Sequence, residues 1–125
     1  MAGKKILLVE DDVDIRENMA MVLKYEGYEI LQAEHGAEAL KILNEEKNSL
    51  PDVILLDLFM PVMNGREFLD AVDASDKADI KKIPVILITA SEQNTREDLE
   101  ARTAAVVRKP IDLKSFFVLL KKIIQ

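Results

Sequence analysis

Four apolar runs in this chain end on residues that can do chemistry. Ile6 to Val9 meets Glu10, Asp11 and Asp12; the run from Val53 to Leu56 meets Asp57; Pro84 to Ile88 meets Thr89; and Ala105 to Val107 leads into Lys109-Pro110. Carboxylates that converge repel one another and raise each other's pKa, a conflict that a divalent cation relieves. Oxygen donors without His or Cys among them select a hard ion such as Mg2+. The ammonium of Lys109 and the hydroxyl of Thr89 complete a set suited to a phosphoryl group. Cation and ammonium meet its charge, the hydroxyl meets an oxygen, and a carboxylate serves as nucleophile.

These side chains meet only if the elements that carry them line up. The short continuous apolar runs read as strands covered on both faces, with Tyr28 to Ala33 as a further one. Between them, Ile15, Met19, Val22 and Leu23 recur at helical spacing until Gly27 stops the helix. A second helix is expected from about Ala37 to Glu46, with Leu40 and Leu43 inward, and a third carries Phe68, Leu69 and Val72 after a loop from Leu58 to Asn64. A polar helix is expected from about Asn94 to Arg102. The last starts near Asp112 and turns Leu113, Phe116, Phe117, Leu120 and Ile124 inward. Strand and helix thus alternate five times, the pattern of an open parallel sheet with helices on both faces. Sites in such sheets form beyond the carboxyl ends of the strands, where the strand order reverses.

Composition narrows the partners. At 125 residues, 49% hydrophobic and 32% charged, the expectation is one domain over residues 1–125 with a core from about 5 to 124, and no output domain. The absence of cysteine excludes disulfides and thiolate metal sites. A net charge of −6 argues against direct nucleic-acid binding. No apolar stretch reaches membrane-spanning length and no signal peptide is evident, so no membrane partner and a cytoplasmic location are expected.

The motifs LLVEDD, DLFMPVMNG with Asp57, Met60-Pro61 and Asn64-Gly65, ILITA with Thr89-Ala90, and Lys109-Pro110 occur in this order, each at an expected strand end. Over nearly the whole chain, from about Lys5 to Ile123, the sequence resembles the receiver domains of two-component response regulators. The resemblance implies a flavodoxin-like, doubly wound (βα)5 fold with a five-stranded parallel sheet of order 2-1-3-4-5. It implies Asp57 as phosphoacceptor and Asp11 and Asp57 as direct ligands of Mg2+, or of Mn2+ in its place. The backbone carbonyl of Phe59 is then a third protein ligand, and Glu10 acts through water. Thr89 contacts the phosphoryl oxygens, and Lys109 pairs with Asp57 or its phosphate. The implied donor is a phosphohistidine on a sensor histidine kinase or a histidine phosphotransfer protein, and a downstream protein reads the result. The implied role is signalling rather than enzymatic turnover, although such a domain assists its own phosphorylation and dephosphorylation.

Some positions depart from the family pattern or carry plainer readings. Val106 stands where many relatives have an aromatic switch, and Ala101 to Ala105 lacks a glycine common there. These departures motivate an alternative, a phosphorylation-independent interaction module. An Asp-nucleophile phosphohydrolase would carry a second Asp where this chain has Phe59. Phe59 and Ser91 flank the site and are expected to influence phosphate loss. Asp12 or Asp14 is expected to cap the first helix, since Asp14 and Glu17 have capping-box spacing. His35 reads as an exposed turn residue. Val118 and Leu119 fall off the core face of the last helix, and a cis peptide before Pro110 is compatible with the turn there.

Overall fold

The structure, a computed structural model, describes residues 4–45, 49–58, 62–90, 99 and 101–124. Five strands, β1 (Lys5–Val9), β2 (Glu29–Ala33), β3 (Val53–Asp57), β4 (Val85–Thr89) and β5 (Ala105–Arg108), form one sheet. All neighbours are parallel and the order is β2-β1-β3-β4-β5, as the resemblance implied. Helices α1 (Val13–Tyr25), α2 (Gly36–Asn44), α3 (Gly65–Asp73), α4 (Ala78–Lys81) and α5 (Leu113–Ile124) connect or follow the strands.

The continuous apolar runs are explained by two cores. Side chains alternate along a strand, so β1, β3 and β4 feed both faces of the sheet. Leu7, Val9, Ile54, Leu56 and Leu87 pack toward α2 and α3, against Ala39, Leu43, Phe68, Leu69 and Val72. Ile6, Leu8, Leu55, Ile86 and Ile88 pack toward α1 and α5, against Ala20, Leu23, Phe116 and Leu120. Every residue of β3 and β4 is buried, whereas β2 and β5 are edge strands and only partly covered. Asp57 and Thr89 stand at the ends of these two fully buried strands.

Helix boundaries follow local chemistry. Asp12 caps α1, its carboxylate accepting from the N–H groups of Asp14 and Ile15 at 3.0 Å each. Gly27, at φ +98°, turns the chain out of α1 in a conformation that side-chain-bearing residues rarely adopt. The inward stripe of α1 is Arg16, Ala20 and Leu23, so Ile15 lies beside it and is 44% exposed, contrary to the expected inward set. Leu113 is likewise 42% exposed, at the start of α5 one turn before the buried Phe116. Val118 is exposed and Leu119 half-buried.

Three connections differ from expectation or only partly test it. The helix α2 begins at Gly36 and ends at Asn44, and Glu46 lies outside the described residues. The four-residue α4 was not foreseen, because one turn is too short to show a helical repeat; its Ile80 fills the core beside Leu43 and Val72. Of the helix expected from Asn94 to Arg102, Leu99, Ala101 and Arg102 are helical, and the rest lies outside the described residues. Arg102 bridges Asp70 and Asp73 of α3 at 2.9 and 2.8 Å. Burial alone would lower the guanidinium pKa, but these two partners raise it. No helix among the described residues is long and apolar enough to cross a membrane.

Candidate functional site

The site lies at the carboxyl edge of the sheet, where β1 and β3 run side by side with Val9 opposite Leu56. Glu10 keeps a last sheet bond, its N–H donating to the Ala33 carbonyl at 3.0 Å. The chain then leaves the sheet, which places the Glu10 side chain in the interior at 5% exposure and Asp11 outside. Asp57, the last residue of β3, is 7% exposed. Carboxylate oxygens of Glu10, Asp11 and Asp57 all come within 4.8 Å of one another.

Lys109 reaches this cluster from beyond β5. Its N–H continues the ladder to the Thr89 carbonyl at 3.0 Å, and its peptide bond to Pro110 is cis. The ammonium stands 3.2 Å from Glu10 Oε1 and 3.8 Å from Asp57 Oδ2. Thr89 is buried at the end of β4, one residue beyond Ile88, the register partner of Asp57. Glu10, Asp11, Asp57 and Lys109 are therefore brought together, with Thr89 on the adjoining strand end. Phe59 and Ser91 lie outside the described residues.

The electrostatics separate the two acids of the first strand. Burial pushes the Glu10 carboxyl up, but hydrogen bonding with the Asp57 side chain, the bond from the Asp12 N–H and the charge of Lys109 outweigh it and hold Glu10 below the ordinary range. Asp11 is raised, first by burial, then by its hydrogen bond and charge repulsion with Glu10 and by the charge of Asp12. Two of the three carboxylates thus sit in low-exposure positions with one ammonium between them. Such a donor set, all oxygen and net negative, fits a hard divalent cation.

Residues outside the expected set hold this geometry. Arg16 is 9% exposed and donates from Nη1 to the Glu10 carbonyl at 2.8 Å. Its position in the stripe with Ala20 and Leu23 is the signal that the sequence offered, a lone cation on an inward helix face. Asn64 and Glu67 form a capping box at the start of α3, with bonds of 2.9 and 3.0 Å, and the Asn-x-x-Glu spacing was readable. His35 is half-buried rather than exposed, because its Nδ1 accepts from the Glu38 N–H at 3.2 Å and caps α2.

Gly65 lets α3 begin directly against the end of β3. A Cβ there would sit 2.9 Å from the Asp57 carbonyl oxygen and 2.9 Å from the Leu58 Cα, both backbone atoms. The Gly65 N–H donates to the Leu58 carbonyl at 2.8 Å, so the approach is held tight. Gly65→Ala is expected to cost about 1–3 kcal/mol of stability through overpacking. It should also slow phosphoryl labelling by displacing Asp57. Urea unfolding with a labelling time course checks both; a variant as stable and as reactive as the wild type would remove Gly65 from the account.

Comparisons with known proteins agree with this geometry. The chain is 33% identical over 127 residues to the phosphate regulon transcriptional regulatory protein PhoB of Pseudomonas aeruginosa, covering all of this chain and 53% of the relative. The chain therefore spans about half the length of that relative. It is 34% identical over 124 residues to sporulation initiation phosphotransferase F of Bacillus subtilis, covering 98% of this chain and 94% of the relative. The crystal structure of the response regulator protein TrrA from Thermotoga maritima, in complex with Mg2+-BeF, superposes with a TM-score of 0.79 at 31% identity, over 96% of this chain and 98% of that one. The model of the response regulator receiver domain family matches residues 6–121, and the chain belongs to that family.

Proposed function

We propose that this receiver takes a phosphoryl group onto Asp57 from a phosphohistidine of a sensor histidine kinase or histidine phosphotransfer protein, in a Mg2+-dependent reaction. The observation that carries the reading is the convergence of Glu10, Asp11, Asp57 and Lys109 from three strand ends into one charged cluster. The phosphotransferase name of the Bacillus relative and the Mg2+-BeF complex of the Thermotoga relative support it. The reading carries a cytoplasmic location, an unidentified downstream protein, and a role in signalling rather than turnover.

Asp11 and Asp57 would hold Mg2+, or Mn2+ in its place, directly, with the Phe59 carbonyl as a third protein ligand and Glu10 acting through water. When bound, the cation offsets charge on the phosphoryl oxygens and on the clustered carboxylates. An Asp57 oxygen attacks phosphorus in line; the new P–O bond forms as the P–N bond to the donor imidazole breaks, and the electron pair leaves with nitrogen. Lys109, already 3.8 Å from Asp57 Oδ2, supplies a fixed positive charge beside the transferring group. Thr89 offers its hydroxyl to a phosphoryl oxygen. Slow attack by water on the acyl phosphate later regenerates Asp57.

The second reading, a phosphorylation-independent interaction module, draws on Val106. This side chain packs against the α3-side core and carries no ring to change rotamer. A Mg2+ titration of the melting temperature, run together with labelling by acetyl phosphate, separates the two readings. At a Mg2+ concentration about 100 times its Kd, the folded state gains about 2.7 kcal/mol and melting rises accordingly. The gain should shrink as pH falls, because protons compete with the cation for Asp11, whose pKa is raised. A melt insensitive to Mg2+ at neutral pH, with no labelling, favours the module.

A further inference from the structure

We infer that Arg16 is a positioning residue for the acid cluster: by anchoring the Glu10 carbonyl it holds the turn that presents Asp11 to the cation. The inference rests on the Mg2+ reading above and adds a residue that touches neither the cation nor the phosphoryl group.

Arginine is seldom buried without a carboxylate partner. Among the described residues, however, the Arg16 side chain makes one hydrogen bond, to a carbonyl, and no ion pair. That carbonyl belongs to the residue at which the sheet runs out. The Glu10 N–H still pairs with Ala33, but β2 ends there, and among the described residues no strand continues to receive the Glu10 oxygen. Arg16 supplies the missing donor at 2.8 Å, from the interior. Its own position is set by the first turn of α1, where its N–H donates to the Asp12 carbonyl at 2.9 Å.

The turn from Glu10 to Asp12 is thereby held at three points. The Arg16 guanidinium fixes the Glu10 carbonyl, the Glu10 carboxylate accepts from the Asp12 N–H at 3.2 Å, and the Asp12 side chain caps α1. Asp11 lies between these anchors and is itself exposed, so the direction of its carboxylate follows the backbone of the turn. Residues that orient ligands from behind in this way typically govern metal affinity by about tenfold or more.

The test compares Mg2+ dissociation constants by titration calorimetry, well below the melting temperature of each protein. Arg16→Met removes the donors and the charge but keeps an unbranched apolar stem; Arg16→Lys keeps the charge and a donor. Val72→Ala, in the core on the other side of the sheet, controls for lost stability. Arg16→Met should weaken Mg2+ by about tenfold or more, Arg16→Lys should recover most of that loss, and Val72→Ala should melt earlier with its Kd unchanged. In the Mg2+-free state, the Asp11 and Asp12 amide NMR signals should move in Arg16→Met and stay in place in Val72→Ala. If Arg16→Met does not fold, Arg16→Gln, too short to reach the Glu10 carbonyl, carries the same expectation. A folded Arg16→Met or Arg16→Gln protein with the wild-type Kd overturns the inference alone. A wild-type protein that binds no Mg2+ overturns the metal reading and the inference with it.

Discussion

Lys109→Met is expected to destabilise the Mg2+-free protein at neutral pH by about 2–3 kcal/mol and to lessen the stability that Glu10 loses on acidification. Removing one partner of a buried charge pair typically costs about 3–5 kcal/mol, and the 27% exposure of the Lys109 side chain trims that through solvent screening. In the wild type, the Glu10 carboxyl lies below its ordinary value. Its contribution is therefore present above the unfolded-state pKa and is lost as pH falls through the lower, folded one. Without the ammonium, a charge and a hydrogen bond that help to hold the Glu10 carboxyl down are gone, while the burial that raises it remains. Glu10 then contributes less stability above its unfolded-state pKa, so less is lost on acidification. Urea midpoints measured from about pH 7 down to about pH 3 check this directly. A variant whose midpoint keeps the wild-type trend would mean that Lys109 does not control the charge state of the cluster.

Asp57→Asn should do three things together. The first is a gain in Mg2+-free stability of about 1–2 kcal/mol, because an amide that can donate to the Glu10 carboxylate replaces a like charge beside it. For a chain of this length that corresponds to a melting temperature higher by on the order of 5 °C. The second is loss of most of the stabilisation by Mg2+, since a direct ligand has been replaced by a weaker neutral one. The third is complete loss of the phosphoryl acceptor. Thermal melts with and without Mg2+ read the first two. A variant that melts lower than the wild type without Mg2+, yet gains as much from the cation, would show that Asp57 neither suffers repulsion nor holds the metal.

Much of this molecule was legible before its structure, for identifiable physical reasons. Strands β3 and β4 are buried on both faces, so their uniform apolar runs stood out, and the acid and hydroxyl at their ends stood out against them. The strand order needed the family resemblance, because alternation alone does not say which parallel neighbour lies where. Readings failed where one residue answers to a tertiary partner. Ile15 and Leu113 satisfy helical spacing, yet they stay 44% and 42% exposed. Arg16 takes an inward place because a carbonyl needs a donor, and His35 is drawn in because a helix needs a cap. A one-turn helix such as α4 has no period to detect. The sequence left Asp12 or Asp14 as the cap of the first helix, and the cap bonds place it at Asp12.

The central claim is that Asp57 is the phosphoryl acceptor of a cation-assisted site. Intact-mass and peptide mass spectrometry after incubation with acetyl phosphate, with and without Mg2+, tests it most directly. The account predicts a single added phosphoryl group, dependent on Mg2+, mapped to Asp57 and absent from Asp57→Asn. Labelling that persists in Asp57→Asn, or that proceeds equally well in excess chelator, would contradict it.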